Sequence, residues 1–262
     1  VLPYTLKTHI KYMFQKHFDA FLTYSSFGKK CLMNIGHPED KIFVATNVSN
    51  TSEHMSLAAK MNESTSVARA KLGLPHKFTV LYVGAMDSQK RPEVLLELAK
   101  QLKAENYNFV LLGNGHLLEQ LREKTRTENL SNVFLPGRVN DELPLYYRAS
   151  NVMLIPGRGG MVISEAMAWS LPIIVWQADG TEKDLVRHGE NGLLIKRGTI
   201  QEFSDALEFL RNTPDHGKRY GERGKKLLID KYSIENMTGK MVSLISQLFR
   251  KQQLCGGRPP SR

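Results

Sequence analysis

Short apolar segments alternate with amphipathic segments of helical length from residue 78 to about residue 228. Segments of the first kind are rich in β-branched and aromatic residues, which predicts strands, and those of the second kind have helical periodicity. The predicted strands are 78–83, 108–112, 132–135, 152–155, 173–176 and 193–195, and the predicted helices include 92–104, 116–128, 142–148, 200–212, 214–226 and 233–251. This alternation predicts an α/β fold with a doubly wound parallel sheet and helices on both faces.

Glycine-containing loops directly follow four of the predicted strands. The first glycines of these loops are Gly84, Gly113, Gly137 and Gly157. In open parallel sheets, ligands bind beyond the carboxyl ends of the strands, where such loops gather. The positions of the glycines therefore predict a nucleotide site at that edge of the sheet.

The segment 151–195 is the most informative about function. Its first strand runs into Gly157-Arg158-Gly159-Gly160, and this loop opens into a helical stretch that carries Glu165. Unpaired backbone N–H groups and the helix dipole make such a loop a ready anion site. Glu165 lies about one helical turn further on, where a carboxylate accepts hydrogen bonds from ligand hydroxyls. A pyrophosphate beside a ribose fits this arrangement, and an ordinary βαβ crossover with a tight turn fits it equally well.

The same segment resembles the donor-binding loop and helix of the retaining glycosyltransferases of family 4, which have the GT-B fold. Members typically have Glu-Gly-Phe-Gly before a helix that carries a second Glu, followed by Ala-Met-Ala and a later Pro. Gly160, residues 165–168 and Leu171-Pro172 stand in the matching places of this chain. Gly157 stands where the first Glu of the family is expected, so half of the paired-glutamate signature is absent.

The resemblance implies a set of donor-binding residues. The amides of residues 160–162 would face the distal phosphate, and Glu165 would hold the ribose hydroxyls. Lys90, at the position of a family lysine, would face the pyrophosphate. The full implied set is Gly84, Lys90, Arg91, Gly113, Gly115, Arg138, Val139, Arg158, Gly160, Met161, Val162 and Glu165.

Three of these assignments go beyond a direct match to the family. Ala85 stands where the family usually has an Arg, and Arg91 would supply the lost charge because guanidinium pairs well with phosphate oxygens. Arg158 would hydrogen-bond the sugar or the phosphate. The loop with Arg138 and Val139 would meet the base, although a purely structural turn fits that loop as well.

Other structural alternatives also stay open. Lys90 and Arg91 fit a solvated pair before a helix, and Glu165 fits a partner of the helix dipole near an N-terminus. The Gly113–Gly115 turn is not a complete dinucleotide fingerprint, because Leu118 stands where a third glycine would be.

The resemblance also bears on the mechanism. It implies front-face transfer, with the leaving diphosphate stabilised by cations and helix N-termini rather than by a divalent metal. The histidines are scattered and the carboxylates lack ligand spacing, so neither a metal nor another cofactor is expected beside the nucleotide-sugar substrate. Gly157 replaces the first family Glu, and the resemblance places a family His and the acceptor pocket in an N-terminal domain that is expected to be mostly missing, so no catalytic residue can be assigned from the sequence.

The formal net charge of +10 at pH 7 indicates a negatively charged partner. Nucleic acid is not expected, since zinc spacings, ribonucleoprotein motifs and a concentrated basic helix are missing from the sequence. The segment 4–18 alternates bases with large apolar residues, and both a core helix and a helix on an anionic membrane surface fit it. The two cysteines, Cys31 and Cys255, favour a reducing compartment. We therefore expect a cytoplasmic protein, with peripheral membrane association left open.

The matches to family 4 extend from about residue 21 to residue 248, and they start in the middle of a family motif. We expect residues 1–70 to be the tail of an N-terminal acceptor domain with its linker, and residues 71–232 to be the nucleotide-sugar-binding Rossmann-like domain. Residues 233–254 would form a closing helix and 255–262 a disordered tail. The chain is thus expected to be a fragment that lacks most of the first domain.

The function predicted from these observations is transfer of a hexosyl unit, with retention, from a nucleotide sugar to a glycan or lipid-linked acceptor. Assembly of a surface polysaccharide or glycoconjugate is the expected context. A nucleotide-sugar-binding module without turnover and a sugar-nucleotide epimerase of the GT-B type remain alternatives, and a nucleic-acid binder is a more distant one.

Overall fold

The computed structural model describes residues 13–15, 17–178 and 180–255. They divide into two compact units, of which one contains the residues up to 47 together with those from 234 onward, and the other contains residues 48–233. The predicted tail after residue 255 and most of the segment 4–18 lie outside the described residues.

The smaller unit contains two short strands, β1 (Phe21–Thr23) and β2 (Ile42–Val44), which pair in parallel. The helix Ser26–Asn34 joins them, and Ser25 caps it by accepting a hydrogen bond from the amide of Gly28. A 3₁₀ turn, Glu39–Lys41, precedes β2, and the long helix Ile234–Cys255 completes the unit.

The larger unit is built on a sheet. Among the described residues, six strands pair in parallel in the order β5-β4-β3-β6-β7-β8. Their bounds are β3 Phe78–Val83, β4 Tyr107–Leu112, β5 Val133–Gly137, β6 Val152–Ile155, β7 Ile173–Trp176 and β8 Gly192–Ile195. The chain first builds the sheet outward from β3 and then returns to continue from β6. The strand order therefore reverses between β3 and β6, the position at which such sheets bind their ligands.

Helices cover the sheet on both faces. Their bounds are Thr51–Lys60, Thr65–Lys71, Glu93–Gln101, Leu118–Thr127, Leu143–Ala149, Val162–Ala168, Thr181–Leu185, Ile200–Asn212 and Pro214–Lys231. On one face, alternate strand residues such as Val80 and Phe109 form a core with Leu95 and Phe203 of two helices. Leu81, from the opposite face of β3, is equally inaccessible to solvent. Burial on both faces explains why the strands are continuous apolar runs.

The predicted α/β fold with a doubly wound parallel sheet is confirmed. Strands 152–155 and 173–176 and helix 200–212 have the predicted bounds. The helix predicted at 92–104 is shorter, Glu93–Gln101, and Pro92 lies at its N-cap. The helices Thr51–Lys60 and Thr65–Lys71 were not predicted, and they belong to the larger unit. The domain boundary after residue 70 stays a prediction.

In the part of the chain that the structure describes, no helix combines the length and the apolar character that a bilayer crossing requires. The association of this protein with a membrane therefore stays a prediction from charge.

Candidate functional site

The loops after β3, β4 and β5 enclose a cleft of about 350 Å³ at the carboxyl edge of the sheet. The cleft is lined by Val83, Gly84, Ala85, Leu112, Gly113, Asn114, Arg138, Val139, Asn140 and Leu143. Four of the residues implied by the resemblance, Gly84, Gly113, Arg138 and Val139, are thus brought together. A cleft of this size is suited to a small planar group and its sugar.

Close backbone approach explains two of the glycines near this cleft. Gly113 has φ +140°, and a Cβ there would collide with the carbonyl of Gly84. Gly115 has φ +157°, and a Cβ there would lie 2.5 Å from the carbonyl oxygen of Met86. The amide of Met86 in turn donates to the carbonyl of Asn114 at 2.9 Å. The glycines thus let the loops after β3 and β4 join into one surface, with Gly115 supporting the cleft from outside its lining.

The loop after β6 packs directly against the end of the loop after β3. A Cβ on Gly157 would lie 2.5 Å from the carbonyl carbon of Lys90, so no side chain fits at this position. The amide of Arg158 donates to the carbonyl of Gln89 at 3.0 Å. The absence of the expected family Glu at Gly157 therefore has a packing cause: the two loops touch where its side chain would begin.

Lys90 holds the same two loops together through its side chain. Its ammonium Nζ donates to the carbonyls of Arg158 and Gly159, each at 2.7 Å. An ammonium has three donors, so one N–H remains for a ligand. Lys90 is therefore close to the glycine loop, and it both fixes the loop and keeps a positive charge there.

Arg91 points elsewhere. It has φ +55°, and its guanidinium donates to the carbonyls of Pro156 and Gly198 at 3.3 and 3.1 Å. The same group lies over the ring of Trp176, 5.0 Å from the ring centroid. Through these contacts Arg91 stabilises the loops after β6 and β8. Its role at the donor phosphates stays a prediction.

The amides of residues 160–162 are the open donors of the glycine loop. Gly160 has φ +103°, and Met161 is the N-cap of the helix Val162–Ala168, which we call the Glu165 helix. Among the described residues, no acceptor is found for these three N–H groups. The helix is only seven residues long, and anion binding at these amides stays a prediction.

Glu165 is half-buried and lies in the first turn of this helix. Its Oε2 accepts a hydrogen bond of 2.6 Å from the hydroxyl of Tyr147, on the helix Leu143–Ala149. No bond to its Oε1 is found among the described residues.

Two further residues of the site were not predicted from the sequence. Tyr147 is one, and the other is Glu182, which is fully buried. The carboxyl oxygens of Glu182 accept hydrogen bonds from the amides of Gly159 at 2.8 Å and Gly180 at 3.0 Å. Glu182 thus fixes the glycine loop from behind. The available sequence signal was an acid two residues after Gly180.

The predicted site residues therefore lie along one edge of the sheet, in two parts. One part is the cleft with Arg138, which is exposed, and the other is the glycine loop with Lys90 and Arg158. Within residues 13–15, 17–178 and 180–255, no group of three or more histidine, cysteine, aspartate or glutamate residues could hold a metal ion. Metal-independent chemistry remains an expectation.

Comparison with known proteins identifies the family. The family described as Glycosyl transferases group 1 matches residues 65–227, which is more than half of the chain. An uncharacterized glycosyltransferase of Haemophilus influenzae is 30% identical over 183 residues, covering 67% of this chain and 51% of the relative. The alpha-D-kanosaminyltransferase of Streptomyces kanamyceticus is 26% identical over 187 residues, covering 69% and 48%. The chain thus spans about half the length of these curated relatives.

Among solved structures, the crystal structure of HepE from Anabaena in complex with UDP superimposes with a TM-score of 0.81 at 17% identity. The match covers 94% of this chain and 68% of HepE. An identity this low establishes the fold alone. On the family match, this chain belongs to the group 1 glycosyltransferases.

Proposed function

We propose that this chain binds a nucleoside diphosphate sugar at the carboxyl edge of its sheet and serves as the donor-binding part of a retaining hexosyltransferase of family 4. The observation that carries the proposal is the bond of the Lys90 ammonium to Gly159 at the reversal of strand order, because the amides of residues 160–162 and the helix of Glu165 follow Gly159 directly in the chain. Amides and an ammonium suit a diphosphate, and a carboxylate suits hydroxyls.

The order of these groups along the edge of the sheet supports one orientation of the bound nucleotide sugar. The base would enter the cleft beside Arg138 and Val139. The diphosphate would lie at the glycine loop, and Glu165 would accept hydrogen bonds from the ribose. Lys90 would stabilise the charge that develops on the leaving diphosphate. Anabaena HepE was crystallised with UDP and with UDP-glucose, which makes uridine nucleotides the first donors to try.

The acceptor would be a hydroxyl of a glycan or of a lipid-linked saccharide, in the assembly of a surface polysaccharide or glycoconjugate. The net charge of +10 supports work at an anionic membrane surface on the cytoplasmic side. The acceptor-binding and catalytic groups of the whole enzyme are not assigned to residues of this chain.

Calorimetric titration of the 262-residue chain with UDP, GDP and ADP tests the donor site. Lys90→Ala and Glu165→Ala should each weaken the best binder by about ten- to a hundredfold, the size expected for one lost charge-assisted hydrogen bond. Lys77→Ala is the matched control, because its ammonium also donates to a backbone carbonyl, that of Ala104, but at the amino edge of β3. Unchanged affinity in both site variants, or equal loss in the control, would contradict the assignment.

A nucleotide-sugar-binding module without turnover is the second candidate. It is favoured by Gly157, where the packing of Lys90 leaves no room for the acid that the family resemblance would put near the sugar. Incubation with radiolabelled nucleotide sugars and a crude lipid-linked glycan fraction separates the two candidates. Labelled glycan indicates a transferase, and donor binding without labelled glycan indicates the module.

A further inference from the structure

The carboxylate of Glu165 is held from inside the protein by one of its two oxygens. Tyr147 donates to Oε2 at 2.6 Å, and no bond to Oε1 is found among the described residues. A carboxylate anchored at one oxygen has its plane fixed, so its other oxygen points in one defined direction. The ligand-facing geometry of Glu165 is thus set by a residue behind it.

Tyr147 is itself fixed by neighbours other than Glu165. Its side chain is 1% exposed, and its ring stacks on Trp169 with a centroid distance of 5.4 Å and an interplanar angle of 10°. The ring of His54 meets it edge-on at 6.1 Å. Trp169 Nε1 donates to His54 Nδ1 at 3.3 Å, which closes the aromatic cluster. Because two helices and the C-cap residue of a third supply these rings, the phenol position does not depend on its bond to Glu165.

Tyr147 is the donor of this hydrogen bond and Glu165 is the acceptor. Burial, followed by the charge of Glu165, raises the pKa of Tyr147 well above its ordinary value of 10. The phenol therefore stays protonated and donates, and the carboxyl of Glu165 accepts. A carboxylate oxygen accepts hydrogen bonds from hydroxyl donors and repels phosphate oxygens. The pair is accordingly suited to select a diol and to reject an anion.

We propose that Tyr147 is a positioning residue that sets the ribose selectivity of the donor site by orienting Glu165. Tyr147 does not touch the donor in this arrangement, and its effect passes through the carboxylate. The inference rests on the proposed function, since it assumes that Glu165 faces the 2′ and 3′ hydroxyls of a bound nucleotide.

The test compares two ligands on the full 262-residue chain. Calorimetry gives the dissociation constants of the tightest binder among UDP, GDP and ADP and of its 2′,3′-dideoxy form, and their ratio reports the recognition of the diol. The wild type should prefer the diol by about tenfold or more, and Tyr147→Phe should reduce this preference to about twofold while the affinity for the dideoxy ligand stays the same. Phe keeps the ring and its stacking on Trp169.

Tyr107→Phe is the matched control. Tyr107 is also 1% exposed and loses the same hydroxyl, but it lies at the amino end of β4, away from the site. The Tyr107→Phe variant should therefore have the same preference for the diol ligand as the wild type. In a Glu165→Gln background, Tyr147→Phe should cause no further loss of preference, because the two residues act as one unit.

Three results would overturn the inference. The first is an undiminished diol preference in Tyr147→Phe, and the second is an equal loss for both ligands, which would indicate a general structural role. The third is additive losses in the double variant. A wild type that binds none of the diphosphates would instead overturn the proposed function, together with the inference that rests on it.

Discussion

Gly157 offers the sharpest test of how the two site loops are joined. In Gly157→Ala the added methyl would lie 2.5 Å from the carbonyl carbon of Lys90 and 2.6 Å from its Cα. Carbon atoms in contact prefer about 3.5–4.0 Å, so the loops must separate by about 1 Å. That separation lengthens the bond of 3.0 Å from the Arg158 amide to Gln89 and the bonds of 2.7 Å from the Lys90 ammonium.

Overpacking of this kind costs about 1–3 kcal/mol, and the weakened bonds to an ammonium add about 1 kcal/mol or more. We therefore expect Gly157→Ala to lower the free energy of unfolding by about 2–4 kcal/mol. Because the loop that carries the open amides moves, the affinity for the nucleoside diphosphate should fall by about tenfold or more, as for a lost charge-assisted hydrogen bond.

Urea unfolding followed by circular dichroism measures the first effect, and calorimetry the second. The control is Gly217→Ala, a buried helical glycine of the same unit whose added methyl would meet Pro172 at an ordinary 3.8 Å. It should raise stability by about 0.5–1 kcal/mol, since Ala is the better helix former. The packing argument would be refuted if the two variants had the same urea midpoint and the same dependence of the unfolding free energy on urea, and if Gly157→Ala kept the wild-type nucleotide affinity.

Two further predictions concern buried groups. Glu182→Leu leaves the amides of Gly159 and Gly180 without their acceptor, so the free energy of unfolding should fall by about 2–5 kcal/mol. A variant that unfolds at the same urea concentration as the wild type would contradict this. Burial, followed by the charge of Lys41, lowers the pKa of His37 from its ordinary 6.5, so the unfolded chain binds the proton first. Stability should therefore be fully present above about pH 6.5 and decline below it, and a His37→Gln variant with the same decline between pH 7 and 5 would exclude His37 as the cause.

The sequence predicted the sheet well because its strands are buried on both faces. The runs Val152–Ile155 and Ile173–Trp176 are continuous, and glycine or proline stands close to them, so their bounds could be recognised directly. The helix Thr51–Lys60 was missed because most of its side chains are exposed and give little apolar periodicity. The helix Thr181–Leu185 was missed because five residues are too few for a period to show.

The site was predictable as far as it depends on position along strands. Gly113 and Gly84 were located because they follow β4 and β3, and they do line one cleft. Glu182 and Tyr147 were not predicted, because their partners Gly159 and Glu165 lie 23 and 18 residues away and meet them only after the chain has folded. These contacts depend on how helices pack, which a single sequence does not specify residue by residue.

The same limit explains the interpretation of Gly157. From the sequence it was a missing acid, judged against a family pattern. In the structure it is the point at which the backbones after β3 and β6 touch, with Lys90 bonded across the contact. The sequence showed that glycine stands at this position, whereas the reason for glycine there required the distance between two loops 68 residues apart.

A crystal structure of the chain with bound UDP tests the central claim most directly. The diphosphate oxygens should lie about 3 Å from the amides of residues 160–162 and from the Lys90 ammonium, with the uracil in the cleft beside Arg138. The ribose hydroxyls should face the free oxygen of Glu165 while Tyr147 holds the other. UDP bound away from the carboxyl edge of the sheet, or at that edge with its ribose turned from Glu165, would contradict the account.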